Sequence, residues 1–288
     1  MNIPFTKMHG FGNDFMVLDQ TANKIDLSAE KIRQLSNRHT GIGFDQVLQI
    51  EQASSSEVDF DYRIFNADGE EVEHCGNGAR CFAKYVHDKG LSSKNPLRVK
   101  TVNRVLILHA NKNGEVTVNM GMPEFKHAAI PFLAKTNGES DTEKTGYLHS
   151  RNLEIRGISK TFEFIPLSMG NPHAVICVED LANTAVKDIG EAVGSHLDFP
   201  LGVNVGFMQI SSRSEISLRV YERGAGETMA CGTGACAAVV AGCLLEQLDA
   251  TVRVNLIGGQ LSIQWPQKDQ NVLMTGPATT VYEGTIEI

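Results

Sequence analysis

The amino-acid sequence predicts an α+β protein of two pseudo-symmetric domains, each rich in strands and each carrying a helix directly after a cysteine. A duplicated segment is the first reason. "YRIFNADGEEVEHCGNGARC", from Tyr62, lies without gaps on "LRVYERGAGETMACGTGACA", from Leu218, at an offset of 156 residues. Arg63/Arg219, Glu71/Glu227, Cys75/Cys231, Gly76/Gly232, Gly78/Gly234 and Ala79/Ala235 are identical. Collinearity is the second reason: "GNDFMVLD" from Gly12 matches "GNPHAVICV" from Gly170 at 158, and "FDQVLQI" ending at Ile50 matches "NVGFMQI" ending at Ile210 at 160. Length agrees, since 288 residues suffice for two domains of ordinary size. The expected division is residues 1–119 with a tail at 277–288, and residues 120–276.

The elements follow in order. "FTKMHGFGNDFMVLDQ" reads as a strand broken by a glycine loop at Gly10 to Asn13. "SAEKIRQLSNR" reads as a helix with Ser28 as N-cap and Ile32 and Leu35 on its buried face. "VDFDYRIFN" alternates, with Val58, Phe60, Tyr62 and Ile64 on one face, as in a half-buried strand. After Cys75, the residues Ala79, Phe82, Ala83 and Val86 have helical spacing, stopped by Gly90. "RVLILHANKNGEVTVNM" reads as a hairpin turning at Asn113-Gly114. The stretch from Leu133, "LAKTNGESDTEKTGYL", is polar and aperiodic, as in a surface loop. "GACAAVVAGCLLEQL" after Cys231 is apolar all round, as in a core helix. The tail "VLMTGPATTVYEGTIEI" has strand composition and suits either sheet.

Composition narrows the function classes. A net charge of −8 argues against nucleic acid or an anionic membrane as partner, since both require clustered cations. The longest apolar run, Ala235 to Leu245, is well short of the roughly 20 residues a membrane helix needs. "MNIPFTKMHG" has no apolar core of signal-peptide length, so a cytoplasmic protein is expected. In that compartment six cysteines do not imply a disulfide framework, and their spacings do not match zinc ligands. Cys81, Cys177, Cys236 and Cys243 read as small apolar residues.

Cys75 and Cys231 read otherwise. Each precedes Gly-x-Gly at a helix amino terminus, where unpaired N–H groups and the positive end of the helix dipole bind a carboxylate and favour a thiolate. Two such thiols suggest a reaction with two symmetric halves. Racemisation or epimerisation is one: a base takes a proton from one face of the carbon beside a carboxylate, and an acid returns one to the other face.

With "KMHGFGNDF", "FNADGEEVEHCGNGARC", "MGNPHAV", "NVGF", "YERGAGETMACGTGA" and "GPA" in order, essentially the whole chain resembles the diaminopimelate epimerase family. The resemblance implies two domains, each a β-barrel around a central helix, with the site in the cleft between them. It implies a pyridoxal-independent enzyme interconverting LL- and meso-diaminopimelate in lysine and peptidoglycan-precursor synthesis, with no cofactor and no metal. Cys75 and Cys231 would be the acid/base thiols, and the backbone of Gly76, Asn77, Gly232 and Thr233 would hold the reacting carboxylate. Asn13, Gln46, Asn66, Asn171, Asn204, Glu222 and Arg223 would line the substrate pocket, and His173 and Glu222 would help ionise the thiols. The residues agree: diaminopimelate carries two carboxylates and two ammonium groups, and Glu222-Arg223 offers an acceptor and a cation. His74 is read as structural. Phe44 departs from the family pattern, where a small residue is expected, and the loop after Leu133 is longer than usual.

Three other readings stay open on the sequence. A proline or hydroxyproline racemase also uses two thiols, but "NADG" and "YERGAG" suit a substrate with a second charged end. A thiol redox protein would cycle Cys75 and Cys231 through a disulfide. A binding module would hold amino acids without labilising an α-proton. The PhzF-like isomerases share the fold but lack the cysteine pair. The partner expected is a small molecule, and a homodimer is compatible with the sequence.

Overall fold

The computed structural model describes residues 2–72, 75–133, 147–155 and 157–287. The chain forms two compact units, Met1–Asn119 with Thr275–Ile288, and Met120–Met274. His74 and nearly all of the polar stretch after Leu133 lie outside the described residues. No helix among the described residues is long and apolar enough to cross a membrane.

In the first unit the strand Asn2–Gly10 turns straight back into Asn13–Gln20. Phe11 and Gly12 make the turn with φ of 56° and 87°, the paired positive values that match the twist of a two-residue hairpin. Helix α1 (Ala29–Ser36) begins at Ser28, whose hydroxyl accepts the Lys31 N–H at 3.2 Å. Its buried Ile32 and Leu35 pack in a core cluster with Phe44 and Val47, so the bulk of Phe44 serves packing. The strand Gln46–Gln52 runs parallel to Asn13–Gln20 and antiparallel to Phe60–Asn66, whose Phe60, Tyr62 and Ile64 are buried. Helix α2 (Gly76–Asp88) packs on that face, with the Tyr62 and Phe82 rings 4.9 Å apart edge to face. The strand Leu97–Lys100 and a hairpin of Val105–Ala110 with Val116–Gly121 follow. The late strand Thr279–Glu287 pairs antiparallel with Asn2–Gly10, which settles where the tail goes.

The second unit repeats the plan. A hairpin of His149–Ile155 and Ile158–Ser168 leads into Pro172–Cys177, which runs parallel to Asn204–Ser212, itself antiparallel to Glu215–Glu222. Thr251–Leu256 returns parallel to Glu215–Glu222, as Leu97–Lys100 does to Phe60–Asn66. Helix α3 (Val186–Gly194) lies against this sheet, and helix α4 (Gly232–Leu244) is buried from Gly234 to Gly242. Phe15 faces Gln46 in the first unit and His173 faces Asn204 in the second, so both partners shift by 158. The third repeated segment is therefore equivalent at 158, not at the 160 its letters suggest. The two-residue correction keeps every side chain on its face, because strand period is two.

The minor cysteines divide. Cys81 and Cys236 are fully buried, as expected of small apolar residues. Cys177 is exposed at the end of its strand and Cys243 is half-buried, its thiol donating to the Asp249 carbonyl at 3.4 Å. Strand-end and helix-end positions, rather than residue type, decide their exposure.

Candidate active site

Each unit gathers candidate site residues at equivalent strand ends. In the first unit Asn13 and Gln46 begin strands and Asn66 ends one. The register sets Gln46 opposite both Phe15 and Asn66, which gathers the three polar residues along one sheet edge. Gln46 Nε2 donates to Asn66 Oδ1 at 2.8 Å, which leaves Gln46 Oε1 buried with no hydrogen-bond partner among the described residues. A buried orphan acceptor is costly, and it suits an ammonium ligand.

Cys75 is the N-cap of α2, in extended conformation with φ −135° and ψ 123°. The N–H groups of the first turn have no intrahelical partner and point outward beside its sulfur. The Cys75 thiol donates to Asn13 Oδ1 at 3.5 Å, and Asn77 Nδ2 donates to the same oxygen at 3.2 Å. Gly78 is required here by close approach: a Cβ would come within 2.5 Å of the Tyr62 hydroxyl. That hydroxyl is buried with no hydrogen-bond partner among the described residues, and burial pushes its ionisation well above the ordinary tyrosine value.

In the second unit Cys231 caps α4 in the same way, with φ −115° and ψ 108°. Its sulfur accepts the Gly234 N–H at 3.4 Å and lies 3.6 Å from the Thr233 hydroxyl. Burial pushes the Cys231 thiol well above its ordinary value, and the neighbouring Glu222 carboxylate pushes it the same way. Gly234 N–H and Thr233 oppose this without prevailing, so the thiol stays protonated. Glu222 is held in turn by the Thr228 hydroxyl at 2.5 Å.

His173 is fully buried. Its Nε2 donates to Asn171 Oδ1 at 3.1 Å, so Nδ1 is a bare lone pair, and it has no partner among the described residues. Burial, reinforced by the Arg223 charge, pushes this imidazole down to about 3, so it is neutral at physiological pH. A neutral His173 offers Nδ1 as a hydrogen-bond acceptor and places no cation beside a thiolate. Asn204 is a brace: its Oδ1 accepts the Arg223 N–H at 2.8 Å and its Nδ2 donates to the Pro172 carbonyl at 3.2 Å. Arg223 is exposed, with Nη1 donating to the Leu201 carbonyl at 2.7 Å.

Sequence reasoning missed Arg80, Asp45, Thr228 and Tyr62. For Arg80 a signal existed, since it lies one turn beyond Gly76 within the small and apolar run Gly78, Ala79, Cys81, Phe82 and Ala83.

The two strand-rich α+β units define a fold shared with solved structures of low sequence identity. A PhzF-family phenazine biosynthesis protein of Bacillus anthracis superposes with a TM-score of 0.68 at 16% identity over the full length of both chains. A hydroxyproline epimerase of Agrobacterium vitis superposes with 0.65 at 15% identity, over 99% of this chain and 92% of that one. These likenesses concern the fold. The model of the diaminopimelate epimerase family matches residues 5–126 and 166–281, and the chain belongs to that family. The diaminopimelate epimerase of Cupriavidus metallidurans is 52% identical over 100% of this chain and 98% of its own. That of Nitrosospira multiformis is 50% identical over 100% and 99%.

Proposed function

We propose that this protein interconverts LL- and meso-diaminopimelate by proton transfer between two thiols at one α-carbon, without a cofactor. The step would serve lysine and peptidoglycan-precursor synthesis. The observation that carries the reading is the repeated cap: Cys75 and Cys231 occupy the same position at the amino termini of α2 and α4. Full-length relatives at about half identity carry the diaminopimelate name.

The chemistry follows from the parts. Removing the α-proton places charge on the adjacent carboxylate, which the N–H groups of Gly76, Asn77, Gly232 and Thr233 would hold. Glu222 is the carboxylate beside Cys231 and would take its proton, against the burial that favours the thiol, as Cys231 becomes the thiolate that removes the α-proton. Cys75, as a thiol, then delivers a proton to the opposite face. After one turnover the roles are exchanged, which is what a reversible epimerase requires. His173, held neutral by burial, would take part there as a hydrogen-bonding group rather than as a base. The distal end of the substrate would meet Gln46 Oε1 through its ammonium and Arg223 through its carboxylate.

The test is incubation of the reduced protein with LL-diaminopimelate in D2O. Meso product carrying one solvent deuteron at the inverted α-carbon is expected. Absence of both exchange and meso product, from folded protein with titratable thiols, overturns the assignment and directs attention to proline-type substrates.

A further inference from the structure

The Asn13 amide presents its oxygen to Cys75, and two ions at opposite ends of one hydrogen-bonded chain dictate that orientation. Arg80 Nη2 donates to Asn77 Oδ1 at 2.9 Å, Asn77 Nδ2 to Asn13 Oδ1 at 3.2 Å, and Asn13 Nδ2 to Asp45 Oδ2 at 3.1 Å. A guanidinium only donates and a carboxylate only accepts, so neither intervening amide can be reversed without setting donor against donor or acceptor against acceptor.

Both ends are fixed. Arg80 is fully buried, its Nε donating to the Pro277 carbonyl at 3.0 Å and its Nη1 to the Gly76 carbonyl at 3.4 Å. Its guanidinium lies 5.4 Å from the Phe11 ring centroid, and a Cβ on Gly10 would reach within 3.0 Å of Nη2. Asp45 is held by Arg38 Nη2 at 2.8 Å and accepts the Asp14 N–H at 3.1 Å. Asp14 is itself gripped by Lys7 at 2.7 Å and by both Arg38 nitrogens at 2.8 Å.

We propose that Arg80 and Asp45 are positioning residues that lock the Asn13 oxygen toward Cys75 and thereby hold that thiol as a proton donor. A thiol that donates to a carbonyl-type oxygen is stabilised in its neutral form. The second unit is wired differently: the position equivalent to Arg80 is Cys236, and the Cys231 sulfur accepts a backbone N–H. The lock therefore assigns the two equivalent thiols different resting tasks. Its catalytic meaning rests on the epimerase reading, but its existence does not.

The test is iodoacetamide alkylation of each cysteine, followed by peptide mass spectrometry, in R80K, D45N and N13A proteins. Arg80→Lys keeps the charge and removes the fork, and Asp45→Asn supplies an amide that can donate as well as accept. Either change removes one of the two constraints and so raises the share of Asn13 amides whose NH2 faces the sulfur and supports the thiolate. Cys75 labelling is expected to accelerate about tenfold, the effect of roughly one unit in thiol acidity. Cys81, buried one turn further along α2, is expected to stay unlabelled, which separates reorientation from loosening. In the Asn13→Ala background neither change should have any further effect. Cys75 rates within twofold of the unmodified protein, or accelerations that persist without Asn13, overturn the proposal. If Arg80→Lys exposes Cys81, the Asp45→Asn pair decides alone, since Asp45 lies outside α2. Alkylation requires no turnover, so the lock and the diaminopimelate activity stand or fall separately.

Discussion

Arg219 grips Glu227 through Nε and Nη2, at 2.6 and 3.0 Å, and Arg63 grips Glu71 in the same way at 2.7 and 2.9 Å, 156 residues earlier. Each pair closes the loop between a strand and its capping cysteine. Both are partly exposed, so their worth to stability is small. Their effect is on where the loop, and with it the sulfur, comes to rest. Glu227→Gln is expected to cost less than about 1 kcal/mol in urea unfolding while lowering kcat about tenfold through misplacement. A loss of stability with unchanged kcat would reduce the pair to a surface tie.

Single replacement of either capping thiol is expected to lower epimerisation by about 10² to 10⁴, the range of a lost acid or base. Cys75→Ser and Cys231→Ser proteins can be compared by α-proton exchange in D2O. If either retains ordinary turnover, two-thiol proton transfer is excluded.

His173 sets a pH dependence of stability. Its folded value, about 3, lies below the ordinary 6.5, because burial and Arg223 penalise the cation. Between these limits the unfolded chain binds the extra proton, so stability falls as pH falls, by up to about 1.4 kcal/mol per unit. Asp14 adds a second loss below 3.8: burial would raise it, but Arg38 and Lys7 hold it near 2, and that stabilisation disappears as pH falls through 2. Urea titrations of His173→Gln should show a shallower slope between pH 6 and 4. An unchanged slope would mean that the imidazole is protonated in the fold.

The Tyr62 hydroxyl has no hydrogen-bond partner among the described residues and stands against Gly78. Tyr62→Phe is expected to be neutral or stabilising by about 1 kcal/mol, since an unsatisfied buried group is removed. Gly78→Ala should destabilise by about 1–3 kcal/mol through overpacking. The double variant should lose less than the sum, measured by denaturant unfolding. Strict additivity would show that the clash is relieved elsewhere.

What the chain disclosed in advance was local. Ser28 as a cap, the alternation of Phe60, Tyr62 and Ile64, and the hairpin turning near Asn113-Gly114 all depend on near neighbours, and all are present. Helix α3 was not read because Ala185, at its cap, makes no side-chain bond and Gly190 interrupts its pattern. That glycine answers a distant demand, as a Cβ there would come within 2.5 Å of Tyr221. The same distinction holds at the site. The capping cysteines are visible from their glycines, whereas Asp45 gains meaning only when strand register brings it to Asn13, 32 residues away. Arg80 gains its own from Pro277, 197 residues away.

That last separation bears on how the protein emerges from the ribosome. The strand Asn2–Gly10 is made well before Thr279–Glu287, and one of its edges stays unpaired until that later strand has left the exit tunnel. Everything Met120–Met274 needs has been synthesised by then. Vectorial synthesis would therefore let the later-encoded unit mature first, while the unit containing Cys75 stays open along one edge. The unit containing Cys75 would receive the partner of its buried arginine only with Pro277, so a chain broken off before that residue would strike the thiol encoded earlier, and not the one encoded later.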